Sequence, residues 1–149
     1  MIRFGKMMIT ISKIHLSKIK HHAIETYPYE CCGAMLGYVD SKTNLRILQR
    51  IIPIQNTSEE DQRQRFSVTP KDYENLERIS KETGMTLLGF YHSHPDHPAQ
   101  PSKTDLNFAW PNFSYIIVSV YDRIFKDIQS YELNLDTEKF QNESVTIEE

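Results

Sequence analysis

The stretch SYIIVSVY, residues 114–121, constrains the fold more than any other part of the chain. It has the length of one strand, is rich in β-branched and aromatic residues, and is apolar on both faces. Such a strand belongs inside a sheet that is covered on both sides. Residues 128–135 alternate apolar and polar and read as its hairpin partner. Two further apolar runs, CGAMLGYV at 32–39 and TLLGFYH at 86–92, read as buried strands. Residues 7–11 and 44–54 read as two more strands, and 66–68 as a brief one.

Between these runs the period changes. Leu16, Ile19, Ala23 and Ile24 recur at helical spacing, and Pro28 ends that helix. A second helix has Thr69 as N-cap, Pro70 in its first position, Asp72 completing a capping box, and Gly84 as its stop. Residues 102–110 form a short third helix closed by Pro111. Interleaved strands and helices predict an α/β (α+β) layer fold, a mixed β-sheet flanked by helices. At 149 residues the chain reads as a single domain, 1–149, with a polar tail from about Asp136. One late strand is expected in that tail, at 145–147, and the polar stretch 55–65 reads as a surface loop.

Composition removes several function classes. A net charge of −3 argues against a nucleic-acid partner, which needs a basic face. No apolar run reaches the ~18 residues of a membrane helix, and residues 1–13 lack an apolar core of signal-peptide length. The two cysteines, Cys31 and Cys32, are adjacent and cannot staple a loop, so a reducing, cytoplasmic setting is expected.

The chemistry concentrates in GFYHSHPDHPAQPSKTD, residues 89–105. On a strand, residues two apart share a face, so His92 and His94 project together and Ser93 points the other way. Two imidazoles at a strand end can chelate a metal, and catalytic zinc commonly takes three protein ligands. Asp105 is available as the third. Pro95, Pro98 and Pro101 stiffen the link, so that the helix beginning near Ser102 returns to a fixed place. Ser102-x-x-Asp105 is also a capping box, and the two roles are compatible.

The frame is His-x-His, seven residues, Ser, two residues, Asp. It is the frame of the JAMM motif, the zinc site of the MPN-domain metallopeptidases. The chain also resembles that family upstream, where Glu30-Cys31-Cys32-Gly33 stands in place of the family's Glu-x-Cys-Gly, and in DLNFAWPNFSYIIVSV, which is similar to stand-alone prokaryotic members. The resemblance spans roughly residues 9–135. It implies an MPN-like fold and one Zn2+ per chain on His92, His94 and Asp105. It implies Glu30 as the general base for the attacking water, and Ser102 as a hydroxyl that stabilises the oxyanion.

The implied activity is zinc-dependent hydrolysis, by a peptidase or isopeptidase, at the C-terminal Gly-Gly tail of a ubiquitin-like or sulfur-carrier protein. Whether the bond is a peptide or an isopeptide stays open at this stage, as does the oligomeric state. The alternative is a non-hydrolytic MPN-type module that holds a ubiquitin-like partner; all five site positions are filled, which favours the enzyme. The His-x-Glu and Pro-Cys-x-x-Cys pattern of zinc deaminases is absent, as is HExxH. Cys32 is expected in the core rather than on the metal. His97 lies close in sequence without an assigned role. Residues 55–65 are expected to help clamp an extended substrate tail by strand addition.

Overall fold

The computed structural model describes residues 8–55, 68–107 and 109–149. Its elements are β1 (Met8–Ser12), α1 (Lys13–Thr26), β2 (Cys32–Val39), β3 (Leu45–Ile54), α2 (Pro70–Thr83), β4 (Thr86–Pro95), α3 (Lys103–Asn107), β5 (Ser114–Tyr121), β6 (Ile124–Asn134) and β7 (Lys139–Glu148). As its composition requires, β5 is buried throughout, with only Tyr121 partly exposed. Its side chains serve both faces: Ile116, Val118 and Val120 enter one core, while Tyr115 and Ile117 enter others.

The sheet is mixed, as expected, and it closes on itself in the order β1-β3-β2-β4-β5-β6-β7. The β1–β3, β1–β7 and β4–β5 pairs are parallel and the rest are antiparallel. Helix α1 touches β1, β3, β4, β5, β6 and β7, so the curled sheet wraps around it. Ile19 and Ala23 of α1 meet Ile9, Met35, Leu88, Tyr91 and Val118 there. Helix α2 covers the other face, setting Leu76 and Ile79 against Ala34, Leu36 and Phe90.

Local signals place the helices. The Ser12 side chain caps α1 by accepting from the His15 N–H. The Thr69 hydroxyl accepts from the Asp72 N–H, and the Asp72 carboxylate accepts from the Thr69 N–H, a box that contributes about 1 kcal/mol. Gly84, with φ of 74°, ends α2 in the left-handed region. Gly33 has a packing reason instead: a Cβ there would lie 2.3 Å from the Tyr91 ring, which fills the space in front of it.

The structure extends three of the expected strands and shortens one helix. β4 runs on past His92 to Pro95, where Val120 of β5 is its partner. β6 begins at Ile124, four residues before the alternating segment, across a turn in which Asp122 and Arg123 both have positive φ. Most of the expected polar tail is β7, which pairs with β6 and, in parallel, with β1. Helix α3 stops at Asn107 rather than continuing to Trp110. The link before it turns at Asp96, with φ of 57°. Of the stretch 55–65, residues 56–65 lie outside the described residues, as do 66 and 67 of the brief strand.

A buried polar cluster joins β3, β5, β6 and β7. One guanidinium nitrogen of Arg46 (Nη1) donates to Ser114 Oγ (2.9 Å), Glu143 Oε2 (2.8 Å) and Glu132 Oε2 (3.4 Å), and Nη2 donates to the Asn112 carbonyl (2.9 Å). Ser130 donates to the other Glu143 oxygen at 2.7 Å. Arg46, Glu132 and Glu143 are all buried. Among the described residues no helix is long and apolar enough to cross a membrane.

Candidate functional site

β4 delivers the two histidines to the mouth between the sheet and α3. Between β2 and β4 the register shifts at Met35/Leu36, whose partners are Gly89 and Leu87, so Leu88 is the extra residue. Leu88 therefore shares the α1 core with Tyr91, and the alternation that follows sends Phe90, His92 and His94 to the opposite face. His92 pairs with Cys32, the first residue of β2; beyond it one backbone bond from the Ser93 N–H to the Cys31 carbonyl continues on that side, and His94 pairs only with β5.

The donor atoms converge. His92 Nε2 and His94 Nε2 are 3.1 Å apart, and each stands 3.2 Å from one oxygen of Asp105. Tetrahedral zinc with arms of ~2.0 Å has ligand–ligand edges of about 3.3 Å, so the spacing suits a shared ion. The hydrogen bonding supports the same reading. The Pro98 carbonyl lies 2.9 Å from His94 Nδ1 and can only accept, so Nδ1 carries the proton and Nε2 presents its lone pair. That lone pair faces the Asp105 carboxylate, and two acceptors at 3.2 Å repel unless a cation lies between them.

Protonation states agree. Burial lowers the His92 pKa below 6.5, more than Asp105 raises it, which keeps the ring neutral near neutral pH. Burial pushes Asp105 upward, yet its side-chain contacts with the His92 and His94 rings outweigh it and hold the carboxyl well below the usual range. Neutral imidazoles and an ionised carboxylate are the forms that bind a metal. Asp105 is also fixed from behind. Its Oδ2 accepts from the Ser102 N–H (2.8 Å), and its own N–H donates to Ser102 Oγ (3.0 Å), so the capping box and the donor set coexist.

Glu30 is buried immediately before Cys31 and offers an oxygen within 4.8 Å of the histidine nitrogens. Two carboxylates thus flank one imidazole pair. Asp105 contacts both Nε2 atoms at 3.2 Å and Glu30 offers an oxygen within 4.8 Å of the histidines, so either carboxylate can complete a three-donor set with the two imidazoles. Ser93, which points away from the histidines, accepts from the Cys31 N–H at 2.9 Å and donates its own N–H to the Cys31 carbonyl at 3.1 Å. Reading the sequence alone assigned Ser93 no task; its only signal is a small hydroxyl at an inward position of an apolar strand.

The cysteines stay out of the donor set. Burial pushes the Cys31 thiol up to about 11 and Cys32 higher still, and Cys32 Sγ lies 3.6 Å from the Ile54 carbonyl. A cleft of about 330 Å3 opens beside the histidines, lined by Glu30, His94, His97, Gln100, Ser102 and Thr104. His97 reaches this wall, and its carbonyl is held by the Ser119 hydroxyl at 2.5 Å.

A mixed sheet wrapped on one helix, with a His-His-carboxylate cluster able to hold a divalent metal at a cleft, defines a metallohydrolase. Residues 12–134 match the family described as prokaryotic homologs of the JAB domain. The desampylase of Haloferax volcanii is 31% identical over 105 residues, 70% of this chain and 72% of that protein. The CysO-cysteine peptidase of Mycobacterium tuberculosis is 25% identical over 135 residues, 89% of this chain and 88% of that one. The solution structure of a Desulfitobacterium hafniense protein superposes with a TM-score of 0.81 at 28% identity, covering 95% of this chain and 93% of that one. The chain belongs to the JAMM/MPN family of zinc metallopeptidases.

Proposed function

We propose that the protein holds one zinc ion per chain on His92, His94 and Asp105. With it, the chain hydrolyses the bond that follows the Gly-Gly tail of a ubiquitin-like or sulfur-carrier protein. The observation that carries this reading is the triangle of His92 Nε2, His94 Nε2 and Asp105, with edges of 3.1–3.2 Å and the buried Glu30 beside it. Two relatives, a desampylase and a CysO-cysteine peptidase, support the substrate class.

Zinc, when bound, supplies positive charge that acidifies water and polarises the scissile carbonyl. The chain does the rest. Glu30 takes the proton of the attacking water as oxygen adds to the carbonyl carbon, and passes that proton to the amine as the C–N bond breaks. Burial keeps Glu30 out of bulk water and beside the imidazoles. The Ser102 oxygen already accepts from the Asp105 N–H, which leaves its own O–H to donate to negative charge developing on the carbonyl oxygen. Pro95, Pro98 and Pro101 line the cleft and stiffen the wall along which a narrow Gly-Gly tail would lie.

Protein purified without chelators should carry about one zinc per chain, as a three-ligand catalytic site requires. It should also cleave a Gly-Gly-tailed carrier fused to one further amino acid. A chain that takes up no metal after equilibration with zinc overturns the reading and leaves a binding module.

A further inference from the structure

Glu30 lies on a short connection between α1 and β2, yet a general base must be held to a fraction of an ångström. What holds it is the segment that carries the histidines. On its inner side Ser93, fully buried between His92 and His94, binds Cys31 twice: Oγ to the Cys31 N–H at 2.9 Å, and N–H to the Cys31 carbonyl at 3.1 Å. On its outer side Asp96 accepts from the Tyr27 hydroxyl at 2.6 Å. Asp96 is itself fixed by its N–H to the Val120 carbonyl (2.7 Å) and by its Oδ1, which accepts from the Asp122 N–H (3.1 Å). Glu30 is thus tied just after itself and three residues before itself, and both ties end on the strand end and turn that present His92 and His94.

We propose that Ser93 is a positioning residue for the reaction, setting the Glu30 carboxylate against the two imidazoles, with Asp96 as the outer tie. The middle residue of His-Ser-His then serves the base, while its neighbours serve the metal. The backbone N–H bond of Ser93 does not involve its side chain, so Ser93→Ala removes one tie only and leaves the strand pairing intact. This inference rests on Glu30 acting as the base.

The test is a double-mutant cycle on the Gly-Gly carrier fusion, comparing wild type, Ser93→Ala, Glu30→Gln and the double variant. Zinc content and the visible spectrum of cobalt-substituted protein are followed beside kcat and KM. Ser93→Ala should keep the metal and the cobalt spectrum, keep KM, and lose roughly 10- to 100-fold in kcat. In the Glu30→Gln background the same change should cost nothing further. Wild-type kcat in Ser93→Ala, loss of metal in step with activity, or an equal loss in both backgrounds overturns the proposal. Asp96→Ala should cost about threefold, since its bonds are exposed; unchanged kcat overturns the outer tie alone.

Amide exchange separates this inference from the reading beneath it. If Glu30→Gln is fully active, the base assignment fails. The inner tie is then judged by the Cys31 amide, which should exchange faster in Ser93→Ala, and equal protection overturns it.

Discussion

Arg46, Glu132 and Glu143 gather near the start of β5, where Ser114 joins them. His92, His94 and Asp105 gather near its end, where Ser119 pairs with His94. Only about 17 Å of strand separates the two serines. The first group encloses its own cation, meets both terminal nitrogens of Arg46 with protein oxygens, and is buried. The second presents acceptors to a point that no side chain occupies, and one wall is a cleft. The same elements, inward polar side chains at strand positions, make a structural cross-brace when the positive charge is covalently attached. They make a site for chemistry when it must come from outside.

The sharpest way to break that contrast is to change the ligands. His94→Ala and Asp105→Asn should each lose the metal and drop turnover to background, read by elemental analysis beside hydrolysis of the carrier fusion. Glu30→Gln should keep the metal and lose about 10²–10⁴ in kcat. A variant of Asp105 that keeps zinc, or one of Glu30 that loses it, would exchange the two carboxylates' roles.

At the other end, Arg46→Met leaves two buried carboxylates without their cation and should destabilise the fold by about 3–5 kcal/mol in urea unfolding. The metal content of the folded fraction should not change. Replacing Arg46, Glu132 and Glu143 together with apolar residues of similar volume should recover most of that loss, as expected when desolvation offsets attraction.

The smallest expected effect is a titration. Burial, helped by His21, lowers the pKa of His22 more than Glu25 raises it, and His22 Nδ1 lies 2.8 Å from the Tyr91 hydroxyl. The unfolded chain takes up that proton first, so stability falls as the pH drops below 6.5 and levels off below the folded-state pKa. His22→Gln should flatten the stability–pH slope just below about pH 6.5, measured by denaturant midpoints on metal-free protein.

The same contrast explains what could be read in the sequence. Strand β2 is legible to the residue because its apolar run is unbroken, and α2 because Thr69, Pro70, Asp72 and Gly84 punctuate it. His92, His94 and Asp105 could be singled out because metal chemistry restricts such a frame to few residue types, and the structure brings the three together, although their meeting depends on the extra residue at Leu88. Of β7 only residues 145–147 were legible, since one of its inward positions is Glu143, whose burial makes sense only once Arg46 of a distant strand is beside it. The first residues of β6 were missed because its turn uses Asp122 and Arg123 in place of the glycine that usually marks such a loop. The ties from Ser93 and Asp96 join residues 62 and 69 positions away in the chain, a distance over which no local pattern speaks.

The Arg46 cluster also gives the molecule an uneven response to heat. Water solvates charged groups less favourably as temperature rises, so the cost of keeping Arg46, Glu132 and Glu143 dry shrinks on warming. The seam where β3, β6 and β7 meet the start of β5 gains, relative to the rest, as the solution grows hotter.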